Sequence, residues 1–516
     1  MKKTIGPFRL DTRRYRLFYD IHSWVGVIGG LIFFVCCFSG TIALFEHDLI
    51  SWENPTLRRT PGAESLGTDA LIEHAEEHLG GFEETVFVEL PSEANAAFHA
   101  RTFGETGVRR VNLDPATGQP IATKEDSAFD FLTHLHTDLH LPRPWGRYLV
   151  GLIGIFLMMA LISGAMAHPK VFKELFLLRW RPSLRMSFSD LHKQAGVWGL
   201  VFGGVMAFTG AVIGLLGLFA PIMVLSAFGG DVGKATEAFS GPPREATGNP
   251  AIMLSIAELA ETTEAANPGF EAHSFLLRHY GDESAEVGLN LEPTPYRKLV
   301  AGETHRISLV SGETFHRSSF TGKGAGSRLF GAMQPVHYAL FGGLGLKLLY
   351  FISGLVLSLG IVSGSLIWLE KRQPSPRQVG AKPRHRWLSK LTLGVCVGQV
   401  VASAAAIAAG RFMAESLEPV FWSTWVLGLI VAYVIPNGFL VCRAGGFLTA
   451  ALLALTAAGD LTMSPLLTPE VIRIDLTFLA LAACTLAISV VTPRRSKRRQ
   501  PAPELSQSLT PSESPS

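Results

Sequence analysis

Eight stretches of about 20 mostly apolar residues punctuate the chain, at roughly 23–45, 148–168, 194–220, 344–369, 389–409, 419–436, 446–463 and 474–492. A helix needs about 20 residues to cross a hydrocarbon core of ~30 Å, so each stretch predicts a membrane span. The first four are long and glycine-rich, and the last four are joined by short loops. The two long polar segments between the early spans carry other periodicities. In the first, Asp69–Leu79 has helical spacing, and Glu84–Leu90, Ala96–Thr102 and Arg109–Leu113 alternate like strands, ending in the turn Asp114–Gln119. In the second, a helix at Met253–Glu264 precedes strands near His273–Arg278, Ala285–Leu291 and His305–Leu309, with a matching turn at Val310–Glu313.

These patterns predict a mainly α, polytopic membrane helical bundle of about eight spans, with two small α+β extracytoplasmic domains. The chain divides into a basic N-terminus and first span (1–45), a first outer domain (46–147), and spans two and three with their basic connector (148–220). A second outer domain (221–343), span four (344–372), four appended spans (373–492) and a basic, then disordered, tail (493–516) follow. The first apolar run is too long for a secretory signal, and no small-residue cleavage site follows Phe45.

Composition narrows the function classes. Charged residues are 17% of the 516, against about 25% in an ordinary soluble protein. The balance of 45 basic and 43 acidic residues excludes a polybasic nucleic-acid binder. Five cysteines, none in a long polar segment, exclude a disulfide scaffold, and the absence of CxxCH excludes a c-type haem. Lysine and arginine number six in residues 1–22, six in 169–193, seven in 371–390 and five in Arg494–Arg499. Such flanks place both termini in the cytoplasm and both long segments outside.

A duplication carries the candidate chemistry. Asp20-Ile21-His22, leading into Gly26, Gly29, Phe38, Ser39 and Gly40, matches Asp190-Leu191-His192, leading into Gly196, Gly199, Phe208, Thr209 and Gly210, at an offset of 170. Leu135-His136 through Ser163-Gly164 matches Val336-His337 through Ser363-Gly364 at an offset near 200. Each of the first four spans thus has one histidine at its head, His22 and His192 on the inner side, His136 and His337 on the outer. Histidines at span edges serve as interfacial anchors or as functional groups. Two neutral imidazoles from opposing helices suit the axial positions of a haem iron, pairing His22 with His192 and His136 with His337. Zinc is less suited, because no cysteine or carboxylate completes four ligands.

Two haems, one per side, would form a wire across the bilayer. Gly26, Gly29, Gly196 and Gly199 leave room for a flat macrocycle or serve helix packing. Trp24, Phe33, Phe34, Trp198 and Phe202 line it or face core and lipid. His168 is an alternative inner ligand, and His47, His134 and His140 are possible outer ones. His74, His78, His99, His273, His279, His305 and His316 lie in the outer domains with no distinguishing spacing.

The segments Asp20–Gly40, Leu135–Gly164, Asp190–Gly210 and Val336–Gly364, with outer domains ending in turns like Leu113–Gln119, resemble the PepSY-associated transmembrane proteins. That group includes iron-regulated inner-membrane proteins and ferrisiderophore reductases. The resemblance covers about residues 12–372 and implies a bacterial inner-membrane protein with periplasmic PepSY domains. For its reductase members it implies b-type haems, held here by His22, His136, His192 and His337, that deliver electrons to a ferric siderophore. Val310 and Ser311 depart from the expected acidic-proline turn, and the spans after Lys390 lie outside the family core.

Three functions compete. The first is a haem oxidoreductase that reduces an extracytoplasmic ferric complex. No cytoplasmic segment is large enough to bind a nucleotide or flavin, so its electron donor is separate, a quinol or a soluble reductase. The second is a non-enzymatic scaffold whose outer domains bind a periplasmic partner or peptidase. The third, a metal-complex transporter, is weaker, because the first four spans nearly lack intramembrane carboxylates.

Overall fold

The computed structural model describes all residues except 1–9, 60–63, 93–95, 105–106, 123, 125–126, 169–183, 294–298, 300–301, 321–323, 373–384 and 493–516. Lys2, Lys3, Arg9, the run Arg494–Arg499 and the tail after Gln500 lie outside the described residues.

Helix α1 (Thr12–Ala43) begins where the Asp11 carboxylate accepts the Arg14 amide, and α2 (Glu46–Glu53) follows. Helix α3 (Thr68–Leu79) leads into strands β1 (Thr85–Glu89), β2 (Phe98–Gly104) and β3 (Gly107–Leu113). A short helix α4 (Ala128–Thr137) precedes span α5 (Trp145–Ala167). Span three is broken at Gly199 into α6 (Leu184–Trp198) and α7 (Leu200–Phe228). Helices α8 (Val232–Ser240) and α9 (Ile256–Ala266) then precede β4 (Phe270–Arg278), β5 (Glu286–Pro293), β6 (Glu303–Ser308) and β7 (Thr314–Ser318). Helix α10 (Ala325–Tyr338) leads to span α11 (Gly343–Glu370), and α12 (Arg386–Phe412), α13 (Leu417–Val434), α14 (Gly438–Met463) and α15 (Pro469–Val491) complete the chain. Eight of these helices (α1, α5, α7 and α11 to α15) are long and apolar enough to cross a membrane, so this is a multi-pass membrane protein.

The duplicated spans close into a ring. α1 packs on α5 and α11, α7 packs on α5, and α6 packs on α11. Phe33, Cys36, Ile153, Leu157, Ala160, Ala207 and Leu357 fill the centre. Small residues let backbones touch, and a Cβ on Gly214 would lie 2.8 Å from the Gly151 Cα. Since both copies run in the same direction, any twofold relation between them has its axis along the bundle.

The outer segments are joined edge to edge. All seven strands form one antiparallel sheet, in the order β3-β2-β1-β4-β5-β6-β7. Each outer unit alone would leave an unpaired edge, and β1 and β4 cover each other, with Phe87 opposite Leu276. α3 and α9 bury Ile72, Val86, Phe98, Phe275, Leu277 and Val287 beneath them. The Asp69 carboxylate of α3 accepts from the Ser255 hydroxyl (2.6 Å) and the Ile256 amide (2.8 Å) at the start of α9.

The third strand of the second unit ends in the same turn as that of the first, despite its different sequence, and β7 follows it. Gly118 N–H donates to the Asp114 carbonyl, and Gly312 N–H to that of Ser308. The Asp114 carboxylate accepts the Ala116 amide, and the Ser308 hydroxyl accepts the amides of Val310 and Ser311. Serine does the work of the expected acid.

The appended helices form a second bundle. α12 lies at its centre against α13 and α14, and also reaches α1, α4 and α11. α4 is sunk into it: Phe129, Phe131, Leu132 and Leu135 share a core with Ala402, Ala406, Leu417 and Phe421.

Candidate functional site

None of the four histidines stands at the head of a span as expected. His22 lies inside α1 and His192 inside α6, while His136 and His337 lie on the short helices α4 and α10 that precede spans two and four. The structure nonetheless brings them together in two pairs. His22 Nε2 is 3.4 Å from His192 Nε2, with ring centroids 5.7 Å apart. The His136 and His337 rings are nearly parallel, at 18°, with centroids 6.1 Å apart. His22 and Gly40, which touches His136, are 18 residues apart on α1, about 27 Å of helix. The pairs are therefore separated by nearly the thickness of a hydrocarbon core.

Local hydrogen bonds fix which ring nitrogen is free. His22 Nδ1 donates to the Ala160 carbonyl, His192 Nδ1 to the Gly360 carbonyl and His136 Nδ1 to the Cys36 carbonyl, each at 2.8 Å. A carbonyl cannot donate, so these nitrogens carry the proton. His337 Nδ1 lies 2.8 Å from the Thr209 hydroxyl, a group that can donate or accept. The Nε2 atoms of His22, His192 and His136 are left with a bare lone pair. Burial lowers the His136 pKa. Burial first and the nearby His136 second push His337 down to about 3. Both outer rings are therefore neutral.

Each ring also rests on a glycine of a neighbouring span. A Cβ would lie 2.7 Å from His22 at Gly164, 2.8 Å from His192 at Gly364, 2.6 Å from His136 at Gly40 and 3.0 Å from His337 at Gly210. Only glycine permits so close an approach. The four follow Ser39, Ser163, Thr209 and Ser363 in the duplicated sequence, a [Ser/Thr]-Gly signal whose role the sequence reading missed. Of the glycines expected to leave room, Gly26 and Gly196 face open space, with nothing within 4 Å, and lie one turn on from His22 and His192. Gly29 faces Phe33 and Gly199 the Ala195 carbonyl, each on its own segment.

A cavity of about 490 Å³ opens at the outer pair. Phe33, Met206, Phe202 and Tyr350 are among its apolar walls, Arg147 supplies positive charge, and Lys347 is paired with Asp48. Trp24 and Trp198 are exposed, and Phe34 is buried. His168 is the C-cap of α5 and is not one of the facing rings. His47 lines the cavity, whereas His134 and His140 pack beside Asp138, Arg143 and Phe131. Burial raises the Asp138 pKa, but hydrogen bonds from Arg143 and His134 outweigh it and hold it below the ordinary value.

Two imidazoles fit a bis-histidine haem. Coaxial ligation sets the two nitrogens about 4 Å apart and the ring centroids about 6 Å apart. The inner nitrogens need a few tenths of an ångström on each side, and the outer centroids already stand at that spacing. Among the described residues no cluster of three or more His, Cys, Asp or Glu side chains could hold a metal ion.

A family model for the PepSY-associated TM region matches residues 19–371. The chain belongs to this family. All four paired histidines lie within the PepSY-associated region, and the match ends before α12. A Pseudomonas aeruginosa protein described as uncharacterized is 30% identical over 355 residues, 66% of this chain and 87% of that relative.

Proposed function

We propose that this protein is a transmembrane haem-containing oxidoreductase of the ferrisiderophore-reductase kind, serving iron acquisition. It would carry electrons across a bacterial inner membrane to an extracytoplasmic ferric complex. One observation carries the reading: His22 and His192 aim two bare lone pairs at each other across 3.4 Å. Two acceptors so placed repel unless an electrophile sits between them. A haem iron, where bound, supplies that electrophile and a one-electron couple.

The chain's own part is positional. The Nδ1 hydrogen bonds orient each ring and raise the basicity of the ligating nitrogen. The glycines admit the rings to the helix backbones, and Arg147 offers a charge partner for a carboxylate at the outer cavity. The basic ends of the spans favour cytoplasmic termini and an extracytoplasmic sheet, and in that orientation the His136/His337 level faces the acceptor. A reduced iron is held less tightly by hard oxygen ligands, which frees it from the complex. The electron donor is separate, a quinol or a soluble reductase.

Spectroscopy of the purified protein tests this directly. Two haem b per chain, with the reduced α band of bis-histidine ligation and reoxidation by a ferric hydroxamate or catecholate, are expected. Protein that folds and takes up no haem would sink the proposal and favour the scaffold reading.

A further inference from the structure

A buried polar cluster, separate from the histidine pairs, joins the first outer segment to the appended bundle. Trp52 ends α2, and Arg58 follows the short turn Pro55–Leu57. Arg411 lies in the last turn of α12, Asp460 near the end of α14, and Asp475 in the second turn of α15. Trp52, Asp460 and Asp475 are wholly buried, and Arg58 and Arg411 nearly so. Ionisable groups are rare within spans and are functional candidates there.

The two carboxyls are not equivalent. Asp460 accepts both of its oxygens' bonds from Arg58 Nη2 (3.0 and 3.1 Å), and Oδ1 also accepts from Arg411 Nε (2.5 Å) and the Ser464 hydroxyl (2.7 Å). Charge-assisted donors on this scale mark it as the ionised member. Asp475 Oδ1 accepts the Trp52 indole N–H at 2.8 Å, but its Oδ2 is buried with no donor. The Asp460 carboxyl is its neighbour in the cluster: Arg58 Nη2, which donates to Asp460, also donates to the Trp52 carbonyl (2.6 Å), and the Trp52 indole binds Asp475. Two carboxylate oxygens are both acceptors, so a bond between them exists only when one carries hydrogen. Without it, Oδ2 would keep the full cost of its lost hydration.

We propose that Asp475 and Asp460 form a proton-binding site. Asp475 holds a proton on Oδ2 and donates it to Asp460, joining α15 to α14 at the point where Trp52 and Arg58 of the outer segment bind the same two carboxyls. A metal cation is the wrong ligand here, since two guanidinium groups already occupy Asp460 and would repel it. The charges make the proton exchangeable. With it, every oxygen is hydrogen-bonded, but one negative charge faces two guanidiniums. Without it, the charges balance, but Oδ2 is bare. Glu53 and Lys124, the neighbouring ionisable pair, cancel each other: Glu53 accepts from Ser127 and Ala128, and Lys124 donates to the Gly410 and Arg411 carbonyls. The proposal does not rest on haem.

Infrared difference titration of the full chain in lipid nanodiscs tests it. One carboxylic-acid carbonyl band per chain, shifted in heavy water and lost as pH rises, is expected. Asp475→Asn should remove that band entirely. Trp52→Phe removes a donor that favours the carboxylate, so the band should persist to higher pH. If Asp475→Asn fails to fold, the Trp52→Phe shift decides, and an unmoved midpoint overturns the proposal. So does a wild-type protein without the band between about pH 5 and 8. A band removed by Glu53→Gln and kept in Asp475→Asn would assign the proton to Glu53 and equally overturn it.

Discussion

The two helices that present the outer histidines are copies in sequence and unlike in support. α4, which carries His136, is capped by the Ser127 hydroxyl and by Glu53, which accepts the Ala128 amide at 2.6 Å. Its apolar face is enclosed by α12 and α13, and at its far end Asp138 ties Arg143 to His134. α10, which carries His337, starts at Gly324 with no side-chain cap and ends at Ala339, in the left-handed conformation at φ 56°. Its Leu329 and Phe330 are exposed, and it packs on α7. The ring pair is nevertheless close to parallel. Ring geometry is therefore set by contacts that both copies share, a carbonyl or hydroxyl at Nδ1 and a glycine under the ring. The appended bundle buttresses one copy only.

The largest effects should ignore this asymmetry. His136→Ala and His337→Ala should each cost one of two haem equivalents, counted by haem extraction, and His22→Ala should cost the inner one instead. If His136→Ala keeps both while His337→Ala loses one, the copies are not equivalent ligands. The asymmetry should emerge in the next tier. A Cβ at Gly40 falls 2.6 Å from a ring on a fixed helix, and one at Gly210 falls 3.0 Å from a ring on a freer one. Overpacking costs ~1–3 kcal/mol, about 5- to 150-fold in affinity. Gly40→Ala should sit at the upper end of that range for the outer haem and Gly210→Ala at the lower. Equal losses in a haem-transfer titration would mean that α10 is held as firmly as α4.

Stability should show the same contrast more gently. Glu53→Ala removes a cap from α4 and should lower unfolding stability by ~1–2 kcal/mol. Gly324→Ala removes no cap from α10, and φ there is −61°, which alanine accepts. It should be neutral or slightly stabilising, by no more than ~1 kcal/mol in the same denaturation assay. The smallest effect concerns acid. The Asp138 carboxyl is held below its ordinary value, so its contribution is fully present above pH ~3.9 and fades as pH falls through the lowered value. Asp138→Asn should lower stability at neutral pH by that contribution and flatten the acid limb, so that the two stability–pH curves converge in acid, and an undiminished acid limb in the mutant would contradict the assignment.

Much of this was legible along the chain. Apolar runs located all eight spans, because a bilayer demands length and little else, and alternation located six of the seven strands. The duplicated Asp-x-His and Leu/Val-His signatures singled out the four rings that now face each other. Other features depended on distant partners. No local pattern announces that β1 and β4 share an edge, or that β7 (Thr314–Ser318) follows the turn. His136 and His337 were read as span heads because α4 and α10 are amphipathic and short, and merge with the apolar runs after them. Asp475 meets Trp52 across more than 400 positions, so nothing around either residue marks the pair.

The seam between β1 and β4 has a consequence for ancestry and assembly. An antiparallel strand pair is self-complementary, so two identical half-length chains could meet along it as an isologous dimer. Each would bring two spans, one outer and one inner histidine, and one half of the sheet. Fusion of such halves into one chain makes their pairing independent of concentration and frees each copy to diverge. It also lets a new bundle be grafted beside one half without doubling it on the other, which a symmetric dimer could not do.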